Sequence, residues 1–331
     1  MRVIDAHVHL TADAPDSLAT LDRLNVKLLN NIAILSREQP WRTADWLSVP
    51  EYRGLAQAHP HQAAWITSFA LPRFDDPHYV EQVLAELDED FAAGAVGCKG
   101  WKNIGMDLRR PDGSFMQIDD PLLTPIFAQL ERLGRTLLLH IGEPRACWRP
   151  LDPSSPHYGY YRTHPQWHMY GKPGFPSHEE IIAARDRVVA RHPKLRVVGA
   201  HLGSVEWDVA EIAARCARFP NFAVDCSARL GDLALQDPAH VRAFIEHYPD
   251  RLLFGTDHGA KVAHSRMAPA ARAADLDNYA RHIEDYRRYF ADTGEVVICG
   301  QCRPCLGLPA ALLERVFARN ACAWFPGLTA D

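Results

Sequence analysis

No stretch of this 331-residue chain is apolar over the ~18 residues that a membrane-spanning helix needs. No charged-then-apolar leader precedes the first strand-like segment, so a soluble cytoplasmic protein is expected, with no membrane partner. Clusters of Lys and Arg are equally missing, and the net charge is −5, so a nucleic-acid surface is not expected. Eight cysteines in a chain of this size make no disulfide framework, and thiols are expected. Repeats, low-complexity tracts and linkers are absent too; the whole of 1–331 is expected to form one domain, although the length alone allows two. Apolar residues are plentiful at 47%, ample for a large core. Histidine is also generous, 17 in all, but several (His59, His164, His192) precede Pro in surface-like contexts. Their number proves nothing.

Strand-like and helix-like segments alternate along the chain. Buried strands are expected at 3–10, 26–35, 65–71, 95–100, 136–140, 196–201, 222–226 and 251–257. The second is interrupted by Lys27, Asn30 and Asn31, and a loop rich in Trp and Ser follows at 41–50. Helices are expected near 17–24 and over 51–58, 78–93, 121–133, 177–191, 207–219, 238–247, 278–291 and 309–319. In the third, Val80, Val83, Leu84, Leu87 and Phe91 recur at helical spacing before Gly94 stops it. Eight strands alternating with helices predict an α/β fold, a (β/α)8 TIM barrel. A doubly wound open sheet is the alternative, but no Gly-rich phosphate loop follows strand one. In a barrel, reactive groups gather at the C-terminal ends of the strands.

That edge is where the histidines fall. Alternate strand positions share a face ~6.6 Å apart, so His7 and His9 are placed to hold one metal ion between two imidazoles. Asp5, one step back on the same face, is expected to orient a ligand histidine. Strand five ends in His140, strand six in His201 and strand eight in Asp257. Three imidazoles and a carboxylate suit a borderline ion such as zinc, with a position left for water. Gly142 and Gly203 turn the chain after their ligands, and Gly255 allows close backbone approach.

Asp5-Ala6-His7-Val8-His9, Ala200-His201-Leu202-Gly203, Leu253-Phe254-Gly255-Thr256-Asp257 and Asn320-Ala321 together resemble the amidohydrolase superfamily. The similarity is to its amidohydrolase-related (type 2) branch, which includes aminocarboxymuconate-semialdehyde decarboxylase, and runs from residue 1 to about 325. It implies a distorted (β/α)8 barrel with one divalent ion, usually zinc. By matching motifs it implies His7, His9, His140 and Asp257 as ligands and His201 as the catalytic histidine beside the metal-bound water. Members with two metals carry a carboxylated lysine at the end of strand four, where Lys99 falls. The nearer branch has one metal, so Lys99 is expected to bind a substrate carboxylate or pair with a barrel acid.

A divalent ion lowers the pKa of coordinated water toward ~7 and polarises a carbonyl, which serves hydrolysis of an amide, ester or lactone. His201 or Asp257 would hold the proton and deliver it to a leaving group. The leading expectation is therefore a metal-dependent hydrolase of a small polar or aromatic substrate. A non-oxidative decarboxylase, a carbon–carbon lyase of the same branch, is the runner-up, and a catalytically silent barrel is a third reading. Arg145, Arg149 and Arg229 are candidates to grip a carboxylate. The long loop 142–176, with Trp148, Tyr158, Tyr160, Tyr161, Trp167, His168 and Tyr170, reads as an aromatic lid or a subunit contact, and a homodimer is expected. Cys299, Cys302 and Cys305 are expected to be reduced, without metal, and to fix the loop leading into the last helix. His258 departs from the family pattern.

Overall fold

The computed structural model describes residues 1–32 and 49–331. Eight parallel strands are hydrogen-bonded in the order in which they occur in the chain. They are β1 (Val3–Val8), β2 (Val26–Asn31), β3 (Ala63–Ser68), β4 (Gly97–Gly100), β5 (Thr136–Leu139), β6 (Arg196–Gly199), β7 (Phe222–Asp225) and β8 (Leu252–Leu253). Parallel neighbours require crossovers, and helices such as Tyr79–Ala92, His178–Arg191 and Val209–Arg218 supply them. The last strand is short, and the seam from β8 back to β1 has no regular ladder. Instead the Ala6 amide donates to Phe254 O (3.0 Å), Asp257 N–H to His7 O (2.7 Å) and His9 N–H to His258 O (2.8 Å). The expected (β/α)8 barrel is the fold, distorted at that seam.

Alternation along the strands sorts the apolar side chains into two layers. Ile4, Leu29, Ile66, Leu138, Val198 and Leu253 belong to the inner cluster, together with Trp324 and Phe325 from the C-terminal helical segment. Val3, Leu28, Leu137, Val197 and Val224 belong to the outer one, against the helices. Strand β1 breaks this rule midway. Asp5 pairs with Leu28 but Val8 pairs with Asn30, so three steps on β1 match two on β2, a β-bulge. Before it, the even residues Ile4 and Ala6 join the inner cluster; after it, Val8 and Leu10 join the outer one. The bulge thereby exchanges the faces of β1.

Other boundaries differ from the sequence expectation. Strand β2 ends at Asn31, and the expected stretch 33–35 and most of the Trp-Ser loop lie outside the described residues. The helix expected at 278–291 begins earlier and spans Pro269–Ala291, with proline tolerated in its first turn. The long loop 142–176 contains three short helical turns, including Tyr158–Thr163. The cysteine run forms an antiparallel hairpin, β9 (Glu295–Ile298) with β10 (Gln301–Pro304). Its two-residue turn, Cys299-Gly300, has φ of 51° and 75°, as a type I′ turn requires. Among the described residues, no helix is long and apolar enough to cross a membrane.

Candidate metal centre

Six segments deliver polar side chains to the C-terminal edge of the barrel. His7 and His9 come from β1 and its continuation, Lys99 from β4, and Asp225 from β7. His140, His201 and Asp257 follow β5, β6 and β8. All four histidines are buried. The ring centres of His7 and His201 are 4.7 Å apart, those of His140 and His201 4.3 Å, and those of His7 and His9 5.5 Å. Asp257 Oδ1 lies 3.5 Å from the Nε2 atoms of both His7 and His9. One ligand atom each from His7, His201 and Asp257 fall within 4.8 Å of one another. The five residues expected to form the centre are thus neighbours, with His201 as near the middle as any.

Two imidazoles are fixed by their outer nitrogens. His7 Nδ1 is 2.9 Å from Asp225 Oδ2 and 3.0 Å from Ser227 Oγ, while His201 Nδ1 is 2.9 Å from the Ser227 carbonyl. A carboxylate or carbonyl at Nδ1 selects the tautomer whose lone pair is on Nε2, the nitrogen free to bind a metal. Asp225 Oδ1 also accepts the His201 amide (2.9 Å) and the Ser227 amide (3.0 Å), which ties three rim segments together. The orienting carboxylate is therefore Asp225, not Asp5. Because of the bulge, Asp5 turns away from the His7 ring, accepting from Thr256 N–H (2.9 Å), Thr256 Oγ1 (2.6 Å), the Tyr279 hydroxyl (3.0 Å) and, at 3.4 Å, the His7 amide. The one sign of Asp225 in the sequence is a lone acid closing the run Phe222–Asp225.

Burial holds His7, His9, His140 and His201 well below the usual imidazole pKa, and the nearby cations push the same way. All four are neutral near pH 7, the form that ligates metal. Asp257, with 31% of its side chain exposed, is pushed up to about 6 by the protein around it, against the pull of Lys99 and Arg229. Burial lowers Lys99 to about 8, although Asp257 and Asp225 favour its charged form. Its amine sits 2.8 Å from His7 Nε2 and 3.2 Å from His9 Nε2. The donor set of neutral imidazoles and one carboxylate fits a divalent ion. Lys99 is the cation already at that spot.

The rim backbone is unusual. His201, Leu202, Gly203 and Ser204 have φ between 55° and 63°, a full left-handed turn, and Ala228 (53°) and Asp257 (60°) share that region. Non-glycine residues rarely adopt it, and it collects at functional sites. At Gly255 a Cβ would lie 2.9 Å from His7 Cβ and 3.1 Å from His7 N, so only glycine lets β1 come this close.

The remaining candidates divide between two places. Arg229 is buried, and its charge acts on His7, His201 and Asp257. Trp167 lies 4.2 Å under the ammonium of Lys102, which pairs with Glu143; Tyr161 donates to the same carboxylate (3.0 Å). Lys102 and Glu143 thus anchor the aromatic loop, a pairing that sequence reasoning missed. Arg145 instead stacks on Trp207 at 4.8 Å and, like Arg149, lines a separate outer cleft. His258 bonds Asp275 (3.1 Å) and packs on Tyr279, fastening the long helix to the rim.

A model of the amidohydrolase family matches residues 4–327. No curated protein matches the sequence. Among solved structures, an uncharacterized TIM-barrel protein from Bordetella bronchiseptica is 16% identical, with TM-score 0.55 over 99% of each chain. A 2,6-dihydroxybenzoate decarboxylase from Rhizobium is 16% identical, TM-score 0.56, over 98% of this chain and 99% of that one. The 5-carboxyvanillate decarboxylase of Sphingomonas paucimobilis is 14% identical, TM-score 0.52, over 98% of both. At such identities the likeness is one of fold.

Proposed function

Because the chain belongs to the amidohydrolase family, we propose that it is a metal-dependent hydrolase of a small amide, ester or lactone bearing a carboxylate. The observation that carries this reading is Asp257. Its carboxylate touches both β1 histidines at 3.5 Å and 31% of its side chain is exposed, so it can share an ion with them and still pass a proton to a group arriving from outside. In this reading His7, His9, His140 and Asp257 hold one ion, zinc by its donor set. When bound, the ion supplies Lewis acidity and acidifies water. His201, with Nδ1 held by the Ser227 carbonyl, offers Nε2 to the reacting proton. A cation at this spot obliges Lys99 to lose its proton, which its lowered pKa eases, or to turn its charged amine toward substrate. Lys99 and Arg229 then receive the substrate carboxylate, with Trp167 backing Lys102 beside them.

Decarboxylation is the second reading. Three buried cations, Lys99, Lys102 and Arg229, surround the histidines and suit a carboxylate about to leave, and two decarboxylases share the fold. One experiment separates the readings: a panel of lactones, amides and aromatic carboxylates read by product mass. Gain of water supports hydrolysis, and loss of carbon dioxide replaces it with decarboxylation. Metal analysis on the same protein is expected to find a single ion at the barrel centre; a second one there, with added carbamate mass on Lys99, would replace the one-metal reading.

A further inference from the structure

We propose that His157, Glu206 and Asp232 form a second divalent-cation site, outside the barrel centre, that pins loop 142–176 to the segments after β6 and β7. His157 precedes the turn Tyr158–Thr163, Glu206 follows β6, and Asp232 lies in the helix Leu230–Leu235. One ligand atom from each falls within 4.8 Å of the other two. His157 Nε2 and Asp232 Oδ1 are 2.9 Å apart, near the ~3.3 Å between two ligands of a tetrahedral ion with bonds of about 2.0 Å.

The carboxylates themselves point to a missing cation. Glu206 is 3% exposed and Asp232 7%. Each has one oxygen in use: Glu206 Oε1 accepts the Arg145 amide (2.9 Å), and Asp232 Oδ1 faces His157. The other oxygens, Glu206 Oε2 and Asp232 Oδ2, are buried and have no hydrogen-bond partner. Burying a carboxylate oxygen unpaired is costly unless an ion or donor meets it. Arg229 keeps its Nε 3.9 Å from Asp232 Oδ2, outside hydrogen-bond reach. Glu143, also close, is already paired with Lys102. A cleft of about 740 Å³, lined by all three residues, gives an ion a way in. One imidazole with two carboxylates suits zinc, cobalt or manganese.

The test uses the intact protein and Zn²⁺ alone, by equilibrium dialysis and elemental analysis. Wild type should bind one equivalent more than His157→Asn, and one more than Asp232→Asn. His7→Ala, impaired at the barrel centre, should keep an equivalent that the His7→Ala/His157→Asn double variant loses. Loss in His7→Ala alone therefore reports on the barrel centre and leaves this site intact. Chelation should also speed proteolytic cleavage within 142–176 in wild type but not in His157→Asn. Equal zinc content in wild type and both folded single variants would overturn the proposal. So would a zinc-edge anomalous map of wild-type crystals with no peak about 2.0–2.2 Å from these ligand atoms. That map decides even if a variant does not fold.

Discussion

At the scale of single residues, ligands and proton carriers separate by what their removal takes away. His201→Ala should keep most of the metal, since His7, His9, His140 and Asp257 remain, yet lower turnover by roughly 100-fold to 10,000-fold. His7→Ala should lose the barrel-centre ion and activity together. Metal analysis beside kcat checks both, and a folded His201→Ala that lacks the barrel-centre ion would make His201 a ligand. Asp225→Asn is expected to weaken metal binding by about 10-fold to 100-fold, because an amide holds the His7 tautomer less firmly than the carboxylate at 2.9 Å; competition with a zinc indicator measures it. His7, His9, His140, His201 and Asp257 were legible because each closes or follows an apolar strand, a position that a barrel turns into a site. Asp225 was not, since a single acid after a strand is equally a turn residue. Asp5 misled, because a strict two-residue period cannot announce a bulge.

At the scale of elements, strand order and helix alternation were legible from periodicity, and the seam was not. Gly255 apart, nothing in 251–257 distinguishes a full strand from two paired residues followed by irregular backbone. The difference is made by Gly255, where β1 approaches too closely for a side chain. Gly255→Ala should therefore destabilise by about 1–3 kcal/mol, the usual range for forced overpacking, and should weaken metal binding through His7. Urea unfolding with a zinc titration reads both effects; an unchanged midpoint would mean that the seam can relax. The hairpin β9–β10 is hidden in the sequence for a different reason. Spaced cysteines invite a ligand reading, while the turn pair Cys299-Gly300 hides within them.

At the scale of the whole molecule, the buried neutral histidines set the response to acid. His178 shows it away from the metal centre: its Nε2 bonds the Ser204 carbonyl at 2.7 Å, between Trp148 and Trp207. Burial lowers its pKa from 6.5 to about 4. Between those values the unfolded chain binds a proton that the folded chain refuses, so stability falls as pH drops through the window. Below about 4 the folded form is protonated too, and this contribution stops changing. The loss amounts to roughly 3 kcal/mol. Urea midpoints from pH 7 to 4 should fall steeply for wild type and less steeply for His178→Gln; parallel curves would remove His178 as the cause.

The left-handed rim has a consequence for how this protein would respond to selection. Each non-glycine residue held there costs roughly 1–2 kcal/mol, and the cost gathers on the segments that carry His201, Ser227 and Asp257. Ala228 is exposed, so glycine there removes strain without emptying a core. Ala228→Gly should raise the melting temperature, by up to about 1 kcal/mol in stability, while loosening Ser227 and Arg229 and lowering kcat. Populations bred for heat endurance and for turnover would then diverge at this rim, the first collecting glycines that the second discards.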